Sequence, residues 1–357
     1  MPKERPLEGY FACGGGGEGM LMRLDCLGRE FPSRTANYDF VIGLPQLDTV
    51  QQQVLPPQWT YGPTDEDYED DGDEIFDESE RDPDFWGYTG PPLERALGLE
   101  RLLNPNLGTN VDVAYIFRCR FYTSLTAATD KEFDAASGRF MRELVDWSMH
   151  FTSWVGVVTS QDFVGLGGYA VAPTFAESVF AWTGNADGRR AGSDALAAGN
   201  GHLRQMWRSP LELHDLQACV TATGNQGAPP VEWLFIRDAR SLLNGGQNRR
   251  AVIDAATAAE LAMTTLIDKH LATANTDETV RTALVDRYRA LEGRTDLLKR
   301  LRSEVLSNRL QRDLIEPRNR ATHGGHSLTD EQARTAVDMA IEIVQEAHPL
   351  TSLLTTQ

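Results

Sequence analysis

Cysteine is scarce. The 357 residues hold four (Cys13, Cys26, Cys119 and Cys219), scattered and without a CxxC pair. That excludes a zinc knuckle and a disulfide framework, and the four read as small core residues of a reducing compartment. Long apolar runs are missing too. No stretch of about 18 apolar residues occurs, which argues against a membrane-spanning helix, and the opening MPKERPLEGYFACGGGG lacks the apolar core of a secretory signal. The expectation is a cytoplasmic protein with no membrane partner. Basic residues are also few, 34 against 52 acidic, for a net charge of −18. As a sum this argues against a polyanion ligand.

The distribution of charge says otherwise. Between Asp65 and Asp84 stand thirteen acidic residues and one basic residue, Arg81, so this segment carries −12 and the other 337 residues only −6. Within Arg281–Arg320, eleven Lys and Arg face six Asp and Glu, a local +5. A polyanion is therefore open to the C-terminal part. The acidic run 65–84 repels itself and buries nothing, so it reads as a solvated loop. Nucleic-acid mimicry, or shielding of a basic site, is its functional alternative.

Apolar residues at 41% suffice for a sizeable core, and the length suits two domains. Residues 1 to about 125 read as strand-rich, with 111–122 as the main strand and 20–26 and 39–43 as shorter ones. The glycines of 14–19 lack the Lys-Ser/Thr of a phosphate loop and read as a turn. From Asp130 to Trp154, Phe133, Phe140, Leu144, Trp147, Phe151 and Trp154 recur on one helical face, with His150 beside it as a structural residue. Residues 160–230 read as turns between short elements, closing in a Gly-Ala-Pro-Pro linker.

The last third reads as helices. One spans Arg249–Ala272, with Val252, Ala255, Ala256, Ala259, Met263, Leu266 and Ile267 on one face. A second starts at Thr276 and stops at Gly293. A third follows Thr295 towards Leu310. A fourth opens on the capping box Thr329-Asp-Glu-Gln332. The expected fold is α+β: a mixed, β-containing N-terminal region over 1–235 and an all-α bundle over 236–357.

Between the third and fourth helices lies Leu314-Ile-Glu-Pro-Arg-Asn-Arg-Ala-Thr-His-Gly-Gly325. It joins a permanent cation, Arg318, an amide, Asn319, and a group that titrates near neutrality, His323. On an ideal α-helix a spacing of five leaves Arg318 and His323 about 140° apart. They converge only across a kink, a helix end or a two-fold interface, and Pro317 and Gly324-Gly325 supply such breaks.

This segment resembles the R-N-x-x-x-H motif of the HEPN superfamily (higher eukaryotes and prokaryotes nucleotide-binding), and the resemblance covers about Ala239–Leu354. With 30 Arg and 7 His in the chain, Arg-x4-His alone arises about 0.6 times by chance, and about 0.02 times once Asn must follow the Arg. The N-terminal part is loosely similar to that of Apea-like abortive-infection proteins. The resemblance implies a HEPN-like bundle that dimerises, with two motifs facing each other, and a metal-independent endoribonuclease of the defence or toxin type. It implies His323 as general acid/base, Arg318 as the holder of the scissile phosphate, and Asn319 orienting either of them. Arg320 and His326 would be RNA-backbone contacts. Neither cofactor nor metal is implied, and the N-terminal region would sense an unidentified trigger. The alternative is a non-catalytic binding or dimerisation module. There Arg318 would pair with Glu316, Asp313 or a buried Glu260, and His323 would close a helix end. On its own, Glu260 reads as exposed helix surface.

Overall fold

The computed structural model describes residues 2–13, 19–51, 53–57, 86–89, 112–163, 166, 181–182, 190–191, 209–301, 306–324 and 327–355. The acidic run 65–84, the glycines of 14–18, most of 164–208, and His326 lie outside the described residues. The protein is α+β, with β structure in the N-terminal part and helices in the C-terminal part. It forms two compact units. The first holds the described residues of Met1–Phe163, Trp207–Pro229 and Leu353–Gln357, the second those of Val164–Met206 and Pro230–Ser352. The chain crosses between them more than once; one crossing falls inside the Gly-Ala-Pro-Pro segment, between Pro229 and Pro230, and residue 235 falls within a helix.

In the first unit, β1 (Lys3–Ala12), β3 (Glu30–Arg34), β4 (Asp39–Gly43) and β9 (Arg118–Ala127) make an antiparallel sheet of order β1-β9-β4-β3. A smaller sheet joins β2 (Met20–Arg23), β8 (Val113–Ile116) and β7 (Gly87–Thr89), and β5 (Gln46–Asp48) pairs with β6 (Gln53–Leu55). The stretch expected as one strand over 111–122 is thus two. Phe117 breaks it, because its N–H is taken by the Trp86 carbonyl and its carbonyl by the Cys13 N–H, and the chain changes sheets there. The candidate over 20–26 likewise ends at Arg23, where a 3-10 turn over Leu24–Cys26 begins. Across the main sheet Gly9 stands opposite Phe121, and a Cβ at Gly9 would sit 2.8 Å from that ring. Only glycine lets the ring lie flat on the neighbouring strand.

Helix α1 (Asp130–Thr159) covers this sheet. Thr129 caps it by accepting from the Glu132 N–H, and Ser160, at φ 60°, ends it. The expected apolar face is buried at Phe140, Leu144, Trp147, Phe151 and Trp154 and half-buried at Phe133. Phe140 meets Tyr38, Phe40 and Phe121 at ring-centroid distances of 5.5, 5.8 and 5.5 Å. Helix α2 (Leu213–Gln226) is a full helix where the sequence reads as turns between short elements. All four cysteines are buried and unbridged, and burial pushes the Cys26 thiol up to about 12.

The second unit is a helical bundle. Its described helices include α3 (Val231–Asn244), α4 (Asn248–Thr273), α5 (Glu278–Arg287), α6 (Leu291–Arg300) and α7 (Asp330–Ala347). Helix α4 packs against α3, α6 and α7 and buries every residue of its expected face, alanines prominent among them. The capping box at Thr329 and Gln332 forms as expected. Four boundaries differ, one of them the end of α6, which stops at Arg300 instead of running towards Leu310. Asp277, not Thr276, caps α5 by accepting from the Thr279 N–H at 2.9 Å. Helix α5 stops at Arg287, and Gly293 lies inside α6, which begins before Thr295. Thr295 does not cap, because its hydroxyl is buried and donates to the Leu291 carbonyl 2.8 Å away. Among the described residues no helix is long and apolar enough to cross a membrane.

Candidate functional site

The motif does not lie in a break between helices. Residues 310–324 are continuously helical, with a π turn over Gln311–Ile315, an α turn over Glu316–Asn319 and a second π turn over Arg320–Gly324. Leu310, Leu314, Pro317 and Ala321 recur at fours and threes and are buried, and this face seats the segment. The proline explains the first π turn. Pro317 has no N–H, and in an α-helix its ring would strike the carbonyl four residues back. Widening the preceding turn, so that the Glu316 N–H bonds to the Gln311 carbonyl five residues back, makes room for the ring while the chain stays helical.

The second π turn bears on the spacing of the motif. A π hydrogen bond runs from i to i+5, so residues five apart come nearer to one face than in an α-helix. The obstacle for Arg318 and His323, about 140° apart on an ideal α-helix, is therefore reduced by the backbone itself. His323 is exposed, and among the described residues it has no hydrogen-bond or ion-pair partner. Arg320 is exposed as well, and His326 is outside the described residues.

Arg318 is half-buried and donates from Nη1 to Asn319 Oδ1 at 3.1 Å. Among the described residues no carboxylate lies within 4.0 Å of it. None of the carboxylates expected to pair with a purely structural arginine does so. Asp313 is bound by Arg312 at 2.6 and 3.1 Å and lies 4.0 Å from Arg309, and the Arg312 hydrogen bond holds its carboxyl below the usual aspartate range. Glu316 is exposed. Glu260 is neither Arg318's partner nor free surface: its carboxylate pairs with Arg294.

Three contacts that the sequence does not announce complete the site. Asn319 Nδ2 donates to Glu292 Oε1 at 2.8 Å, from the first turn of α6. Arg249 Nε donates to the Ala321 carbonyl at 2.6 Å, closing one of the carbonyls that a helix end leaves open. Asn248 Nδ2 donates to the Leu328 carbonyl at 3.1 Å and to Asp330 Oδ1 at 2.6 Å. The start of α4 thus pins the chain on both sides of residues 325–326. Glu292 is 27 positions from Asn319 and Arg249 is 72 from Ala321, so no local spacing rule reaches them. The only signals are an acidic residue in a helix's first turn and adjacent polar residues opening another helix.

Chemically the arrangement offers a half-buried arginine with no direct carboxylate partner among the described residues, an amide with fixed polarity, and an imidazole open to solvent. It suits an anion and a proton transfer. Among the described residues no group of three or more His, Cys, Asp or Glu could hold a metal ion. No protein-family model, no curated protein and no solved structure matches the chain.

Proposed function

We propose that the protein is a metal-independent endoribonuclease of HEPN type, acting as a homodimer through its helical unit, with a defence or toxin role and a trigger-sensing N-terminal region. The observation that carries this reading is Arg318. Arg318 is half-buried, and a guanidinium drawn out of water costs free energy unless something pairs with it. A scissile phosphate would be that counter-ion, since the Asn319 carbonyl is its hydrogen-bond acceptor and no carboxylate among the described residues pairs with it directly. In this reading His323 takes the proton of the ribose 2′-hydroxyl or returns one to the leaving 5′-oxygen. Arg318 stabilises the extra charge on the phosphorus oxygens. Two motifs across a dimer cleft would supply one histidine for each task. RNA is the substrate because the nucleophile is its own 2′-hydroxyl, and the products would end in 2′,3′-cyclic phosphate. Arg320 and the local excess of positive charge over Arg281–Arg320 favour the RNA backbone.

One observation favours the non-catalytic alternative: the Glu292 carboxylate, within one side chain of Arg318, disfavours a phosphate there. Incubating wild type and His323→Ala with cellular RNA in EDTA separates the two. The ribonuclease reading expects cyclic-phosphate products from wild type and a loss of about 10²- to 10⁴-fold in the variant. Because His323 is exposed, its removal should leave the melting temperature unchanged. Equal cleavage by both would overturn the reading, and RNA binding without cleavage would favour the module.

A further inference from the structure

We infer that Glu292 is a positioning residue of the Arg318–Asn319–His323 site, fixing the guanidinium of Arg318 through the side-chain amide of Asn319. The inference rests on the ribonuclease reading for its catalytic consequence, but not for its geometry.

The amide of Asn319 has one accepting end and one donating end, and its two neighbours leave it no choice of orientation. Arg318 is donor-only, so it must meet Oδ1, and does so at 3.1 Å. An ionised Glu292 is acceptor-only, so it must meet Nδ2, and does so at 2.8 Å. Flipping the amide would set NH2 against the guanidinium and oxygen against carboxylate, losing both bonds and adding two repulsions. Glu292 in turn comes from the first turn of α6, an element anchored in the bundle by the buried Leu291, Leu297 and Leu298. Arg318 therefore takes its direction from a rigid helix that carries no other part of the motif. A carboxylate is an expensive way to do this in a site meant for phosphate, and its retention beside the motif is explained by the hydrogen bond rather than by the charge.

This separates two roles. The acceptor oxygen positions, while the negative charge only weakens attraction for the polyanion. Glu292→Ala removes both. Glu292→Gln keeps an acceptor oxygen and removes the charge.

The test is steady-state cleavage of a synthetic single-stranded RNA by wild type, Glu292→Ala and Glu292→Gln, with melting temperatures to show that all three are folded. Expected is a fall in kcat of about 10- to 100-fold in Glu292→Ala, as for a misaimed catalytic group, with KM unchanged or lower. Glu292→Gln should return kcat to near the wild-type value. A variant that had merely lost structure would not be rescued by glutamine. Full activity in Glu292→Ala, or equal loss in both variants, overturns the inference while leaving the ribonuclease reading intact. If wild type itself cleaves no RNA, that reading falls and the positioning is decided by NMR of the Asn319 side-chain amide. Nδ2–H resonances displaced alike in wild type and Glu292→Gln but not in Glu292→Ala support it, and the same shifts in all three overturn it.

Discussion

The two units solve the packing problem with opposite materials. The first lays one long helix on a sheet and fills the space between with rings: Phe40, Phe121, Phe140, Trp147, Phe151 and Trp154 are all buried. The second packs helix on helix with methyl groups, burying Ala251, Ala255, Ala256, Ala258, Ala259 and Ala262 on α4 and Ala333, Ala336, Ala340 and Ala347 on α7. The geometry of the layers explains the choice. A helix riding on a twisted sheet leaves a deep gap that needs large side chains, whereas helix axes approach as closely as their contact residues permit. The ring-filled unit gains stability from volume. The alanine-filled unit gains it from close approach, and the close approach of its helices also brings Glu292, Asn248 and Arg249 within reach of the motif helix.

If that contrast is right, the units should fail to opposite insults. The largest effect is expected for Phe140→Ala in the first unit, where a fully buried ring with three aromatic neighbours is removed. It should cost about 3–5 kcal/mol in urea unfolding. Trp86, Trp147 and Trp154, buried in the same unit, provide the fluorescence signal. A loss below about 1 kcal/mol would mean the rings are not what holds this unit.

A smaller loss is expected from the reverse change in the second unit. Ala259→Leu places an isobutyl group where α4 has no accessible surface, and overpacking of this kind costs about 1–3 kcal/mol. Far-UV circular dichroism through the same titration reads it, and a neutral or stabilising result would show that the bundle holds spare volume. Such a variant should also impair the site, since Glu292 and Arg249 would no longer meet their partners.

The smallest effect concerns pH. The Arg312 hydrogen bond depresses the Asp313 carboxyl, so the stability it contributes is present above the ordinary aspartate value of about 3.9. It is lost as pH falls through the lower folded-state value. Asp313→Asn should therefore be slightly less stable than wild type near neutrality, and the gap should close in acid. A gap that persisted unchanged at low pH would show that the carboxyl contributes by packing alone.

Much of this was legible in the residues. The face of α1, the face of α4, strand β4 and the capping box of α7 were readable because each depends on neighbours within a few positions: side-chain period, a cap oxygen, a turn. The motif residues were legible as a set of chemical types. Their geometry was not. The expectation of a break at Pro317 and Gly324-Gly325 missed the two π turns, since sequence marks where an α-helix is uncomfortable but not whether the chain kinks or widens. Likewise, Thr276 and Thr295 are acceptable caps on paper beside Asp277, and only the packing of α6 made Thr295 an interior residue.

By itself, then, the sequence determined the α+β class, the helix faces and the chemical types that Arg318, Asn319 and His323 bring together in one segment, because these follow from local spacing and side-chain chemistry. Tertiary structure alone decided which carboxylates were left for Arg318, which way the Asn319 amide points, and that Glu292 and Arg249 hydrogen-bond to the motif segment. Those depend on hydrogen bonds between residues 27 and 72 positions apart, which form only once the helices have packed.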